Sequence, residues 1–430
     1  MKDAFGHLKP LSEIRNNAGI PFLTPDVAPG THCPMRMASV ICEEIEGLSS
    51  LLVGMPECTT YSRMFSQSAQ GRKGELHWLY VLDSREIVFG CRDGVIEAVR
   101  KMEEKGAKDI LVIGTCIPDL IGEDFESIAY ELEAETNSKT ACILLGQFKN
   151  ISYPAGSYKT MEALVMLMQP KQRNQRSVNV LGRSPKEEHS PKPKLFAYLE
   201  ESGYQLRYLG PKSSMEEIKE APDAVLNIVV SPYTLPMARK MEQKFGIECV
   251  ALQEIYDTPG IEQAYRRVED ILGCRIVCMF REDEQALRMK EEAAGKLLRD
   301  KRFLMTLRVD LPIPLTGYLI QQFGMYPVLL HLEEFYPEDH RYVSEIKKLG
   351  YDPLVCRIVN ESGAYGLLEK LSPDLGIGYL ADAEKCVTWV DNMLDFYGMI
   401  GYERTMAILD RIMGALDQNK GEEEECHGLA

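Results

Sequence analysis

The sequence lacks the features of several large protein classes. No apolar run is long enough to span a bilayer, and the first residues, MKDAFGHLKPLSEIRNN, contain no apolar segment of a secretion signal. Basic residues are in deficit: the net charge is −16, which argues against a general nucleic-acid binder because phosphate recognition needs a basic surface. No GxxxxGK[ST] phosphate loop is present, so any ATP would be bound by a partner. We expect a cytoplasmic protein.

Cysteine, in contrast, is abundant. The chain contains twelve cysteines, and a reducing compartment disfavours structural disulfides. Metal or redox chemistry is therefore the main alternative to simple burial. For most of these residues burial remains the expectation, since a free cysteine packs as a small apolar side chain.

Apolar runs typical of strands alternate with periodic runs typical of helices along almost the whole chain. This alternation predicts an α/β fold built of βαβ units with parallel sheets. In the first part we expect strands at 49–54, 86–90, 109–115 and 140–146, and amphipathic helices at 93–106 and 124–137.

A polar, basic stretch that contains proline, at 169–176, indicates a domain boundary. The length of 430 residues suggests two to three domains. Beyond the boundary, further strands are predicted at 177–182, 223–231, 247–253, 302–310, 327–333, 352–359 and 375–380. Helices are predicted at 235–245, 283–303 and 402–417, and the acidic tail that follows is expected to fray.

Three cysteines share one local context near the start of a helix. Cys33 precedes Pro34 and a helical run, Cys58 follows a strand in GMPECTTYSR, and Cys116 lies between a strand and a helix in GTCIPDLIGEDF. Open α/β sheets bind ligands at the carboxyl ends of their strands. Helix N-termini also favour the thiolate, which is the metal-binding form of cysteine.

The spacing of these cysteines matches no short zinc or ferredoxin pattern. A shared site would therefore have to be assembled by the fold from distant segments. The alternative is that the three thiols simply pack at helix ends.

Several longer segments resemble, in order, the landmarks of nitrogenase component 1 proteins. These segments are GMPECTTYSR, REIVFGCRDGVIEAV, GTCIPDLIGEDFESIA, SYPAGSYKTMEAL, KFGIECVALQEIYDTPGIEQAYRRV, QQFGMYPVLL, SPDLGIGYLADAE and IGYERTMAILDRI. The resemblance covers nearly the whole chain and is most specific over the first 160 residues.

The resemblance implies three Rossmann-like domains, with parallel sheets flanked by helices. We expect a cluster-binding domain at 1–170, a middle domain at 171–300 and a C-terminal domain with a closing helix and acidic tail at 301–430. It also implies pairing with a homologous component 1 subunit or with itself, as a dimer or heterotetramer. An ATP-binding, nitrogenase-like iron protein is the implied electron donor.

For the first domain, the resemblance implies that Cys33, Cys58 and Cys116 bind an iron–sulfur cluster at a subunit interface. The cluster would be a [4Fe–4S] cluster completed by a partner carboxylate, or an [8Fe–7S] P-cluster held by two sets of three cysteines. The expected function is an oxidoreductase subunit that reduces a small molecule, a carbon–sulfur bond or a tetrapyrrole.

One departure from the family narrows this expectation. The alpha chain of nitrogenase binds its iron–molybdenum cofactor through one cysteine and one histidine, and the corresponding stretches AVLNIVVSPYTLPMARK and CVTWVDNMLDFYGMIGYERT lack them. The chain therefore resembles a beta-type partner or a nitrogenase-like reductase component. Two alternatives remain: a scaffold for cofactor assembly without turnover, and a cluster-free α/β protein that binds a small molecule.

The other candidates are expected to be structural. Cys91 lies near the cluster loop but is expected to be a buried thiol, and Cys274 and Cys278 are expected to pack on one face of a strand. Plain burial is also the expectation for Cys42, Cys142, Cys249, Cys356 and Cys386, whereas Cys426 is a tail thiol beside His427.

Several polar residues flank the three cysteines. His32 is expected on the surface, and Asp124 is expected to begin a helix. Asp119 and Glu123 are also expected to be structural, with proton delivery or docking as the alternative. Tyr61, Ser62 and Arg63 are candidates to line the cluster pocket.

Overall fold

The computed structural model describes residues 6–24, 33–58, 74–148, 154–185, 187, 189–307, 311–358, 365–380, 387–391 and 393–427. Its strands form three sheets with helices packed against them, which confirms the predicted α/β fold. Within the described residues, no helix is both long and apolar enough to cross a membrane.

The first sheet is parallel and has the strand order β3-β2-β4-β5. Its strands are β2 (Leu48–Gly54), β3 (His77–Val81), β4 (Asp109–Gly114) and β5 (Lys139–Leu144). Every residue of β2 and β4 is buried, as expected for central parallel strands covered on both faces. The helices of this region are α1 (Pro34–Glu44), α2 (Ser84–Phe89), α3 (Arg92–Glu104), α4 (Cys116–Ile121), α5 (Phe125–Glu135) and α6 (Pro154–Leu164).

The second sheet has the strand order β7-β6-β8-β9. Its strands are β6 (Ser177–Leu181), β7 (Gln205–Leu209), β8 (Leu226–Val229) and β9 (Glu248–Ala251). The helices in this part of the chain are α7 (Lys194–Glu201), α8 (Met215–Glu220) and α9 (Leu235–Phe245). The predicted helix at 235–245 is confirmed, and it ends where Gly246 adopts a left-handed conformation with φ of 68°.

The third sheet has six strands in the order β1-β12-β11-β10-β13-β14. Its strands are β1 (Lys9–Pro10), β10 (Arg302–Thr306), β11 (Tyr326–His331), β12 (Leu354–Cys356), β13 (Leu375–Gly378) and β14 (Thr388–Val390). All pairs are parallel except that of β1, which runs antiparallel to β12. The helices are α10 (Thr258–Leu272), α11 (Arg281–Leu298), α12 (Pro312–Phe323), α13 (Asp339–Lys348), α14 (Tyr365–Leu371) and α15 (Gly401–His427).

The strand predicted at 86–90 is wrong, because this segment lies in the helix α2. The side chain of Asp83 accepts hydrogen bonds from the backbone N–H groups of Arg85 and Glu86. The Glu86 carboxylate in turn accepts from the backbone N–H of Asp83 at 3.0 Å. This capping box satisfies the free donors of the first turn and favours a helix over the strand that Ile87, Val88 and Phe89 suggest.

By internal contacts the chain divides into two compact units. One comprises 30–187 and 199–250 and contains the first two sheets except for Ala251 at the end of β9, while the other comprises 1–29, 188–198 and 251–430 and contains the third sheet. The domain boundaries placed at 170 and 300 remain a prediction.

Candidate functional site

The first sheet reverses its strand order between β2 and β4. From β2 the chain proceeds to β3 on one side, while β4 and β5 extend the sheet on the other side. At such a switch point the loops leave the sheet in opposite directions and open a crevice at the carboxyl ends of the strands. Cys58 lies after the end of β2. Cys116 begins α4, and Thr115 alone separates it from Gly114, the last residue of β4. Two of the three predicted cysteines therefore flank this crevice.

The Cys58 thiol is half-buried and rests against Thr115. Its Sγ–H donates to Thr115 Oγ1 across 3.7 Å, and the Thr115 hydroxyl donates to the Val53 carbonyl at 2.9 Å. Gly54 leaves room for this arrangement, since a Cβ on it would lie 3.2 Å from Cys58 Sγ and overlap the Thr115 hydroxyl. Thr115 and the absence of a side chain at Gly54 thus determine the position of the Cys58 thiol at the end of β2.

The Cys116 sulfur accepts a hydrogen bond from the backbone. The N–H of Gln147, in the turn after β5, donates to Cys116 Sγ at 3.3 Å. A donor of this kind stabilises negative charge on the sulfur. The thiol is half-buried, so that it is accessible from one side.

Cys33 is the N-cap of α1, with Pro34 in the first turn. Burial raises the pKa of the Cys33 thiol, and the negative charges of Cys116 and Cys58 raise it further, whereas the N–H groups of Met35 and Arg36 lower it. Charges interact in this way only when groups are near one another. Cys33 therefore lies within electrostatic range of Cys116 and Cys58, while the role of the three cysteines as ligands remains a prediction.

The start of α1 is held in place by α6. Gly156 of α6 packs directly against the Pro34 carbonyl, and a Cβ on Gly156 would overlap that carbonyl and lie 3.1 Å from the Ala38 nitrogen. This backbone-to-backbone contact fixes the position of Cys33, which precedes Pro34. Apart from the glycine in SYPAGSYKT, nothing in the sequence indicates this contact.

A single metal ion does not fit the arrangement. Among the described residues, no three histidine, cysteine or acidic side chains lie close enough to hold one ion together. Thiolates that bind separate irons of a cluster lie farther apart than the ligands of one ion, so this finding concerns a single ion alone.

Cys91 has surroundings of a different kind. It is 1% exposed, in the apolar core that includes Leu51 and Val95. Burial raises the pKa of the Cys91 thiol to about 12, with a further contribution from the Glu123 carboxylate. The backbone N–H of Cys91 also donates to Glu123 Oε2 at 2.6 Å. These contacts favour the neutral thiol that the sequence predicts.

The remaining described cysteines lie apart from this site. Cys42 and Cys356 are fully buried, and burial raises the pKa of both thiols. Cys274 and Cys278 were expected on a strand, which is wrong: Cys274 follows the left-handed Gly273 that ends α10, and Cys278 lies in a 3-10 helix at Val277–Phe280. Burial also raises the pKa of the half-buried Cys142, to about 12, and that of Cys249.

Besides Glu123, which accepts from the Cys91 N–H, two acidic residues after Cys116 have structural partners. Asp124 begins α5 by accepting a hydrogen bond from the Ser127 N–H at 2.9 Å, as expected. Asp119 is 5% exposed and accepts from the Gly146 N–H at 3.1 Å. His32, Tyr61, Ser62, Arg63, Cys386 and the side chain of Cys426 lie outside the described residues.

An exposed apolar patch, defined by four large side chains, lies on two helices, one of which begins at Cys116. It consists of Val88 and Phe89 on α2 and Leu120 and Ile121 on α4, with relative exposures of 71%, 81%, 57% and 40%. The two helices contact each other, and α4 begins at Cys116. Large apolar side chains grouped on a surface indicate an interaction site.

Comparisons with solved structures show the same fold. One structure of nitrogenase Cp1, at pH 6.5, aligns with a TM-score of 0.68 and 14% identity over 93% of this chain and 95% of that chain. Another, at pH 5, gives a TM-score of 0.57 and 18% identity over 95% of this chain and 93% of that chain.

Curated proteins show sequence similarity over part of the chain. The chain is 26% identical over 273 residues to the nitrogenase molybdenum-iron protein alpha chain of Methanosarcina barkeri, covering 60% of this chain and 48% of that protein. It is also 26% identical over 251 residues to the nitrogenase iron-molybdenum cofactor biosynthesis protein NifE of Clostridium pasteurianum, covering 56% of this chain and 54% of that protein. The matched region thus spans about half the length of these relatives.

A family model extends the match across most of the sequence. The family described as nitrogenase component 1 type oxidoreductase matches residues 33–417, a range that begins at Cys33 and includes all three sheets except β1. The chain therefore belongs to the nitrogenase component 1 type oxidoreductase family.

Proposed function

We propose that this chain is the iron–sulfur subunit of a nitrogenase-like reductase, in which Cys33, Cys58 and Cys116 hold the cluster. The observation that carries the proposal is that the half-buried thiols of Cys58 and Cys116 flank the β2/β4 crevice, with half-buried Cys33 near enough for its charge to interact with both. Proteins of this family bind iron–sulfur clusters. Bound there, such a cluster supplies one-electron redox chemistry.

The donor set suits a cluster that two subunits share. Three thiolates from one chain leave the coordination incomplete, since such clusters are typically bound by four protein ligands. A homologous subunit, or a second copy of this chain, would supply the remaining ligands. The cluster would be of the [4Fe–4S] or the [8Fe–7S] type.

The protein around the thiols is arranged to support thiolates. The Gln147 N–H already donates to Cys116, and the N–H groups at the start of α1 already face Cys33. Around them, the buried strands β2 and β4 exclude water from one side of the site. Hydrogen bonds to sulfur and limited solvent access are the means by which a protein sets a cluster potential.

The patch formed by Val88, Phe89, Leu120 and Ile121 supports docking of an electron donor. It lies on two helices that contact each other, one of which begins at Cys116. A donor seated there would be one short helix away from the site. Because the sequence has no phosphate loop, the donor we propose is an ATP-dependent, nitrogenase-like iron protein.

A second function, a scaffold for cofactor assembly, is favoured by one specific observation. The relatives include NifE proteins from Clostridium pasteurianum and Methanococcus maripaludis, which are named for cofactor biosynthesis. A scaffold would use the same three thiols, but it would hold or pass on a cluster without turnover.

Anaerobic purification together with the products of neighbouring genes tests the proposal. We expect a coloured protein with about four or about eight irons per dimer, according to cluster type. Turnover with an iron protein and ATP would identify a reductase, and an iron-loaded protein without turnover would identify the scaffold. Colourless, iron-free protein would contradict both and leave a small-molecule-binding α/β protein.

A further inference from the structure

The turn that donates the hydrogen bond to the Cys116 sulfur is itself held by a hydrogen bond to the Asp119 carboxylate. Gln147 lies in the turn that follows β5, where the Leu145 N–H donates to the Gly114 carbonyl at 2.8 Å. The next two N–H groups point elsewhere: that of Gly146 to the Asp119 carboxylate, and that of Gln147 to the Cys116 sulfur. Two consecutive residues, Gly146 and Gln147, thus contact Asp119 and the Cys116 sulfur respectively.

Asp119 is fixed against this turn on both sides. Its own N–H donates to the Thr115 carbonyl at 3.2 Å, which holds it in the first turn of α4. Its side chain covers Gly146 so closely that a Cβ on residue 146 would lie 2.7 Å from the Asp119 Cβ. With 5% of its surface exposed, the carboxylate has little freedom to move away.

We propose that Asp119 is a positioning residue, which holds the Gln147 N–H on the Cys116 sulfur and thereby raises the reduction potential of the cluster. This inference rests on the proposed function. A hydrogen bond to a cysteine sulfur stabilises the reduced cluster more than the oxidised one, because the reduced form carries one more negative charge. Loss of the bond therefore makes reduction harder.

The charge of Asp119 has the opposite effect, since a nearby carboxylate disfavours an added electron. The test must therefore compare variants of equal charge. Asp119→Ala and Asp119→Asn are both neutral, but only asparagine can still accept from the Gly146 N–H. Gly146→Ala and the unaltered protein both keep the carboxylate, but the added methyl group would displace the turn.

The measurement is the ratio of reduced to oxidised cluster at a fixed solution potential, in the iron-loaded complex. We expect Asp119→Ala to show a ratio about fivefold lower than Asp119→Asn, equivalent to one hydrogen bond. Gly146→Ala should fall below the unaltered protein in the same direction. Equal ratios for Asp119→Ala and Asp119→Asn, and equal ratios for Gly146→Ala and the unaltered protein, would mean that charge alone sets the potential and would overturn the inference.

Two further readouts keep the inference separate from the proposed function. Amide exchange at Gln147 in iron-free protein should be faster in Asp119→Ala than in Asp119→Asn, and equal rates would overturn the positioning role without any cluster. Asp124→Ala and Asp124→Asn are the matched control pair, since Asp124 also accepts a backbone N–H but caps α5, and these two variants should show equal potentials. If the unaltered complex contains no iron, the proposed function fails, and the exchange experiment still decides the role of Asp119.

Discussion

Gly156 and the Pro34 carbonyl lie in direct contact, with no space for a side chain between α6 and α1. Because Cys33 immediately precedes Pro34, this contact determines where one of the three cysteines stands. We therefore expect Gly156→Ala to destabilise the protein by about 3 kcal/mol, at the upper end of the range for overpacking, since backbone rather than a flexible side chain must move.

Chemical denaturation measures this change, and the iron content of the variant should fall with it. Gly414→Ala is the control, because Gly414 lies exposed in α15 with nothing within 4 Å of the added methyl group. That substitution should stabilise the helix by about 1 kcal/mol. An unaltered free energy of unfolding for Gly156→Ala would show that α1 and α6 separate easily.

Cys58→Ala should abolish iron binding and leave most of the fold intact, because the Cys58 thiol is half-buried and faces the crevice. Cys278→Ser, at an exposed position in a 3-10 helix, should keep the full iron content. Iron and sulfide analysis after anaerobic purification measures both. Equal loss from the two variants would refute the ligand assignment.

The ten described cysteines should divide by their reactivity towards iodoacetamide. With a pKa of about 12, only about one Cys91 thiol in ten thousand is ionised at pH 8. Cys91, Cys42 and Cys356 should therefore remain unmodified in the native protein, as measured by peptide mass spectrometry. Cys58 and Cys116 should react in iron-free protein and become protected when iron is loaded. Equal modification of these two cysteines with and without iron would contradict the site.

Asp339 should make the protein less stable as the pH rises. Burial raises the pKa of the Asp339 carboxyl to about 8, with smaller contributions from Glu338, Glu254 and Glu334. In the unfolded chain this group loses its proton near pH 4. Between roughly pH 4 and 8 the folded state therefore binds more protons than the unfolded state, and stability falls with rising pH.

Asp339→Asn should remove that slope, because asparagine can still accept the Tyr336 N–H and carries no charge. Urea denaturation at several pH values measures the difference between variant and unaltered protein. A difference that does not change with pH would show that Asp339 is already ionised in the folded protein.

Phe89→Glu should impair electron delivery without affecting the cluster. Phe89 is 81% exposed in the apolar patch, and a charge at the centre of an interface typically weakens binding by ~2 kcal/mol or more. Turnover with the iron protein should fall at least tenfold while the iron content stays the same. Tyr130→Glu, on α5 with 78% exposure, is the control and should retain activity.

The central strands could be predicted from the sequence, whereas several edge strands could not. Each of β2, β4 and β6 is buried throughout, so its apolar run is visible in the sequence. Four edge strands were missed: two are very short, Lys9–Pro10 and Thr388–Val390. The other two, His77–Val81 and Gln205–Leu209, are only half-buried, so polar and aromatic residues interrupt the apolar pattern.

For the site, the sequence supplied the three cysteines and their position near helix starts, but not the residues that support them. Thr115, Gly156 and Gln147 act through a hydroxyl, a missing side chain and a backbone N–H. None of these carries a recognisable motif, because their effect depends on which distant segment the fold places beside them. The glycine that Cys33 depends on becomes meaningful only when α6 packs on α1.

The short strand β1 has a consequence for how the chain is made. Lys9 and Pro10 pair with Val355 and Leu354, so β1 cannot find its partner until β12 has been synthesised. The unit that carries the cysteines ends at Val250 and has all its residues available long before that. Because domains tend to fold as they emerge during synthesis, the cysteine site can take shape while the third sheet is still being translated.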